Sequence, residues 1–206
     1  MSRATESRRR AVRATFRVTG VAAVAAMIGC GPSGDGTAAS AGENAMGADA
    51  PPAFLAEFEG QFGASASKLV ALAEAMPESS YGWSPGEGVA STGRVFLHIA
   101  RYNYMYPHEN LGRNIPVTRA DYEGWEDASD SMSKAEIVSI LSASMEYVRE
   151  VAAGMDAASL DRETMLYGRE VDEWAVLLQL LAHMNEHLGQ SIAYARMNDV
   201  VPPWSG

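Results

Sequence analysis

The chain has 206 residues, 47% hydrophobic and 20% charged, which is enough apolar material for one packed domain plus extra segments and too much for a disordered chain. Its net charge of −10 is uneven: residues 1–29 hold six Arg and one Glu, leaving ten basic and 25 acidic residues in the remainder. So acidic a surface, with no basic stripe, argues against nucleic acid as a partner, and the single cysteine, Cys30, excludes an intrachain disulfide and a Cys-rich zinc site.

Residues 1–29 begin with Arg3, Arg8, Arg9, Arg10, Arg13 and Arg17 and continue into an uncharged, Ala- and Val-rich run from Val18 to Gly29. That run is too short to span a bilayer, which takes roughly 20 apolar residues. A basic start, a short apolar stretch and small residues at its end make an export signal. The run closes on Met27-Ile28-Gly29-Cys30, which resembles the lipobox of bacterial lipoproteins, with Met27 where Leu is usual. The expectation is cleavage before Cys30, lipidation of its thiol and attachment to the membrane of the cell envelope. Residues 30–52 are Gly, Ala, Ser, Asp and Asn with almost no large apolar side chain, a composition expected to act as a flexible linker.

The domain is expected over 53–206. The first predicted helix runs from Ala53 to Met76, with Phe54, Phe58, Phe62, Leu69 and Ala73 on one stripe and Pro77 ending it. Tyr81-Gly82-Trp83-Ser84-Pro85-Gly86-Glu87-Gly88 is turn material. Ser91 is an N-cap for a second helix reaching Tyr106, where Pro107 and Asn110-Leu111-Gly112 break the pattern. Residues 110–132 read as a long polar connection with a short helix over Arg119–Trp125. Ser133 and Glu136 form a capping box that opens a third helix to Met155, with Ile137, Leu141, Ser144, Val148, Val151 and Met155 on one face. Arg162 to Val171 has no clear period and is left open, extended chain included. The fourth helix runs from Asp172 to Asn198, before Pro202-Pro203. Four long helices with mostly one-sided stripes predict an all-α four-helix bundle.

The fourth predicted helix carries the chemistry. Leu177, Leu181, Met184, Leu188 and Ile192 form a core stripe at about 100° per residue. A second stripe, about 100° around the helix, holds Val176, Leu180, His183, His187, Gln190 and Tyr194. The rest of the circumference is polar or small, with Asn185, Glu186 and Arg196. His183 and His187 are four apart, so their imidazoles stack on one face and can share a divalent metal. His98, inward-facing in Val95-Phe96-Leu97-His98-Ile99-Ala100-Arg101-Tyr102, is the best third ligand, while His108, after Pro107, reads as a surface residue. Three protein ligands leave a position for water or substrate, as in catalytic metal sites. Imidazole donors suit Zn, Ni, Fe or Cu. Gln190 is placed to orient a ligand, and Tyr102, Tyr194 and Trp204 are candidates to line the pocket. His183-Met184-Asn185-Glu186-His187 also fits H-x-x-E-H, in which the Glu is a general base. That family needs an acidic ligand well downstream, only 19 residues follow His187, and Glu186 falls on the wet arc, which leaves it a candidate neighbour of the site and no more.

Three stretches together resemble the DinB-like (DinB/YfiT) superfamily of metal-binding bundles over about residues 53–204: Tyr81 to Ser91 leading into His98 and Asn103; Leu181-Ala182-His183-Met184-Asn185-Glu186-His187-Leu188-Gly189-Gln190; and Tyr194-Ala195-Arg196 with Val201-Pro202-Pro203-Trp204. The resemblance implies an up-down-down-up four-helix bundle, a divalent metal on His98, His183 and His187, and often a homodimer. It also implies an unknown small-molecule substrate handled by a metal-dependent hydrolase or thiol-type transferase. The export signal departs from the family, and low-molecular-weight thiols belong to the reducing cytosol, which counts against the thiol-transferase chemistry. A non-catalytic lipoprotein that captures a metal or a small molecule is the alternative.

Overall fold

The computed structural model describes residues 52–205. The expected export signal (1–29), the lipidation site Cys30 and nearly all of the linker lie outside the described residues. The described chain is mostly helical, with six helices and one two-stranded hairpin in the order α1 (Ala53–Ala75), α2 (Thr92–Leu111), α3 (Arg119–Ala128), α4 (Lys134–Ala153), α5 (Ala157–Leu160), β1 (Glu163–Leu166), β2 (Arg169–Asp172) and α6 (Glu173–Met197). None of these helices is long and apolar enough to cross a membrane.

Local chemistry explains most of the boundaries. Ser91 caps α2 by accepting from the Arg94 N–H, and Ser133 and Glu136 close the predicted capping box on α4. Thr118 and Asp121 form a second box at the start of α3. α1 stops at Ala75 because Met76 precedes Pro77 and takes the extended conformation that a following proline requires. The expected end of α2 at Tyr106 is corrected. The helix runs through Pro107 to Leu111 and ends at Gly112, whose φ of 62° is left-handed. Pro107 removes one hydrogen bond, but Tyr104, Tyr106, Pro107 and Leu111 are all buried, and that packing carries the helix past it.

α2 packs against α4 and α6, and α1 packs against the same two helices. Specific contacts give the directions. Phe54 meets Trp174, and Ser65 hydrogen-bonds Asn185, so α1 and α6 run parallel. Glu59 pairs with Arg149 and the Lys134 ammonium donates to the Glu74 and Met76 carbonyls, so α1 and α4 are antiparallel. The Tyr194 hydroxyl reaches the Ala90 carbonyl while His98 lies beside His187 and Tyr102 beside His183, so α2 and α6 are antiparallel. The core between them contains Phe58, Phe62, Leu69, Leu72, Phe96, Leu97, Ile99, Ile137, Leu141, Leu177, Leu180 and Met184. α6 is buried on both predicted stripes because it faces α1 on one side and α2 on the other; Val176 and Leu180 are fully buried, and Leu181 and Ile192 only half.

The segment left open in the sequence, Arg162 to Val171, falls largely within a short hairpin that joins the helices. β1 and β2 pair antiparallel from Glu163 opposite Asp172 to Leu166 opposite Arg169. The two residues between them, Tyr167 (φ 52°) and Gly168 (φ 73°), are both left-handed, as a tight two-residue hairpin turn demands. Buried Glu173, the first residue of α6, anchors the base of the hairpin through Arg162 (2.7 Å) and Arg113 (3.4 Å).

Candidate metal centre

His98 comes from α2, and His183 and His187 from successive turns of α6. Their ring centroids are 4.6–5.1 Å apart, and each offers a nitrogen such that all three lie within 4.8 Å of one another. His183 is buried; His98 and His187 are half-buried, so the cluster has an inner wall and an outer opening. The predicted convergence of two distant segments on one point is therefore present.

The hydrogen bonds around the rings decide which nitrogens face the centre. His98 Nδ1 lies 3.0 Å from the Glu126 carboxylate on α3, which fixes Nδ1 as the protonated nitrogen and leaves Nε2 with its lone pair free. His187 Nδ1 lies 2.8 Å from Gln190 Oε1, and the Gln190 amide in turn donates to the Tyr194 hydroxyl at 2.9 Å, which orients the glutamine oxygen toward the histidine. His183 Nδ1 is buried with no hydrogen-bond partner. An orphaned buried nitrogen beside two rings already tautomerically fixed is a donor set that fits a divalent cation. Burial, reinforced by the two neighbouring imidazoles, pushes His183 down to about 3, so it is neutral and able to ligate at physiological pH.

Glu126 is the residue that sequence reasoning missed. It accepts from Arg101 at 3.0 Å as well as from His98, with Arg94 at 3.6 Å, and its side chain is only 12% exposed. The His98 hydrogen bond foremost, outweighing burial and joined by Arg101, holds its carboxyl down to about 2. The polar segment that contains it, 28 residues from His98, offered no periodicity to point inward. Glu186, by contrast, is exposed on the outer face of α6, and no hydrogen bond or ion pair ties it to the three rings. A residue directly before His187 is turned about 100° away around the helix, which places the Glu186 side chain outside the hydrogen-bond network of the rings.

The other candidates divide. Tyr102 packs 4.7 Å from both His98 and His183, whereas Tyr194 reaches the site only through Gln190. Trp204 is exposed; the indole that packs on Tyr194 belongs to Trp83. His108 is half-buried, with Nδ1 on the Arg113 carbonyl, and takes no part in the cluster. Tyr106, 6.4 Å from the His183 ring, is hydrogen-bonded to the hairpin-turn residue Tyr167, which closes the inner wall. On the outer side a cleft of about 210 Å³ opens among Ala90, Arg94, Val95, His98, Glu126, His187 and Gln190.

A family model described as the DinB superfamily matches residues 61–195. The chain belongs to the DinB superfamily. Two solved DinB-like proteins share its fold: one from Bacillus cereus, 18% identical, covering 73% of this chain and 93% of its own, with a TM-score of 0.58, and YjoA from Bacillus subtilis, 17% identical, covering 72% and 92%, with a TM-score of 0.52. Among curated proteins none matches. At such identities the DinB-like structures speak for the fold; the chemistry rests on this chain's own side chains.

Proposed function

We propose that this DinB-superfamily chain is an exported, lipid-anchored protein of the cell envelope whose domain, an up-down-down-up four-helix bundle, binds one divalent metal through His98, His183 and His187 and acts on a small molecule as a metal-dependent hydrolase or transferase. The contacts of α1 with α4 and α6, and of α2 with the same pair, support the bundle. The anchor at Cys30 rests on the sequence around it. The observation that carries the metal reading is the convergence of three imidazole nitrogens within 4.8 Å, two of the rings held by hydrogen bonds on their far side.

Each residue has a task in this reading. Glu126 holds the Nδ1 proton of His98 and Gln190 that of His187, so both rings present Nε2 inward without searching for a tautomer. His183 is kept neutral by burial. Tyr102 closes the space beside two of the rings, and the outer cleft admits ligand. Zn, Ni or Fe, when bound, supplies Lewis acidity toward an oxygen or sulfur ligand at the position the three histidines leave open.

The test is a panel of small esters, amides, epoxides and thiol acceptors offered to metal-reconstituted protein. Turnover that disappears in His187→Ala supports the enzyme; turnover that survives it refutes the metal-dependent mechanism. One observation favours the non-catalytic binder: among the described residues the cleft is lined by no Ser, Thr or Cys, and its one carboxylate, Glu126, is engaged by His98 and Arg101. That reading predicts tight metal binding and no turnover on any member of the panel. A homodimer is part of the proposal and is read from sedimentation of the purified chain.

A further inference from the structure

The outer cleft exposes mostly apolar surface, and among the described residues its lining includes one arginine, Arg94. Arg94 lies one helical turn before His98 on the same face of α2, about 6 Å along the axis. Its bonds are weak. One guanidinium nitrogen lies 3.3 Å from Asp127, whose side chain is 83% exposed, and Nε lies 3.6 Å from Glu126. Glu126 does not depend on it, because His98 and Arg101 both bond its other oxygen at 3.0 Å. Exchanging Asp127 for a ligand therefore breaks one solvent-screened pair and leaves the buried network whole. Of the other polar side chains in the lining, Gln190 is committed to His187 and Tyr194 and the Glu126 carboxylate to His98 and Arg101, while Ala90 and Val95 give the cleft an apolar wall.

Building on the metal reading above, we infer that the cleft takes a small monocarboxylate-bearing substrate, its carboxylate held in the fork of Arg94 and its reactive group one helical turn away at the histidine cluster. A planar guanidinium matches a carboxylate through two parallel hydrogen bonds, and a single such group matches a single negative charge. A volume of about 210 Å³ suits a ligand of a few carbons.

The experiment titrates the zinc-loaded full chain calorimetrically with two hydroxamates, the succinic acid monohydroxamate with its free carboxylate and the corresponding neutral primary amide. The carboxylate should bind at least about tenfold tighter than the amide. Arg94→Gln should erase the difference while leaving zinc content and amide affinity unchanged, and Asp127→Asn, which frees Arg94, should strengthen carboxylate binding alone. Equal affinities on the wild-type chain, or a preference that survives Arg94→Gln, overturn the inference while leaving the metal site standing. If neither hydroxamate binds zinc-loaded protein, the open metal position fails and this inference fails with it.

Discussion

Glu126 is the cheapest place to break the centre without touching a ligand. Its carboxylate is nearly buried and accepts from His98 and Arg101 at 3.0 Å each. In Glu126→Gln the amide oxygen can still accept from both, because both bonds fall on one oxygen, but the charge is gone; in Glu126→Ala both donors lose their acceptor, and Arg101, whose Nε already lacks a partner, is left with none on this side. Removing the group that orients a ligating histidine typically costs 10–100-fold in metal affinity, so we expect about tenfold for Gln and nearer a hundredfold for Ala. The apoprotein should also lose about 2 kcal/mol with Ala, below the figure for a fully buried pair because both arginines are partly wet. Competition against a colorimetric zinc chelator measures the first effect and urea denaturation the second. Glu186→Gln, one residue from His187 but exposed, serves as the control and should shift neither. A Glu126→Ala protein that binds zinc as tightly as wild type, or a Glu186→Gln protein that binds it weakly, would refute the tautomer argument.

Two other outcomes follow from the packing and the charges. Gly93 sits where α2 approaches α4 closely; a Cβ there would meet Ile137 Cδ1 at 3.0 Å and the Tyr81 carbonyl at 3.3 Å, so Gly93→Ala should cost about 1–3 kcal/mol despite the better helix propensity of Ala, seen as a lower urea midpoint with an unchanged slope. His183 ionises near 3 when folded and near 6.5 when unfolded, so unfolding takes up a proton between those values. The stability it leaves intact above pH 6.5 is therefore lost as pH falls toward 3, at up to about 1.4 kcal/mol per pH unit. Glu126, lowered from 4.5 to about 2, adds its loss only below pH 4.5, so denaturation of the apoprotein between pH 5 and 6 isolates the histidine, and His183→Gln should flatten that slope.

What could be read from the sequence was what local rules and helical period govern. Ser133 with Glu136 and the N-cap Ser91 are decided by neighbours three residues away, and His183 with His187 by one turn of helix. Even the partnership with His98 was legible, because only one other inward histidine position was on offer. What was misread or left undecided shares a cause in tertiary packing. Pro107 looked like a stop, yet the burial of Tyr106, Pro107 and Leu111 keeps the helix going until Gly112 can turn left-handed. The hairpin has strands of four residues with weak alternation, and its turn uses Tyr167 in a conformation that Gly or Asn usually takes. Glu126 sits in a helix of polar character whose inward carboxylate is specified by His98 and Arg101, 28 and 25 residues away. No pattern within the segment itself encodes that.

The central claim is that three imidazoles share one cation, and the most direct measurement is zinc stoichiometry and affinity across His98→Ala, His183→Ala, His187→Ala and His108→Ala. One ion per chain, strongly weakened by each of the first three substitutions and untouched by the last, is the expected result. Equal binding by wild type and His98→Ala, or a loss at His108→Ala as large as at His187→Ala, would contradict the account.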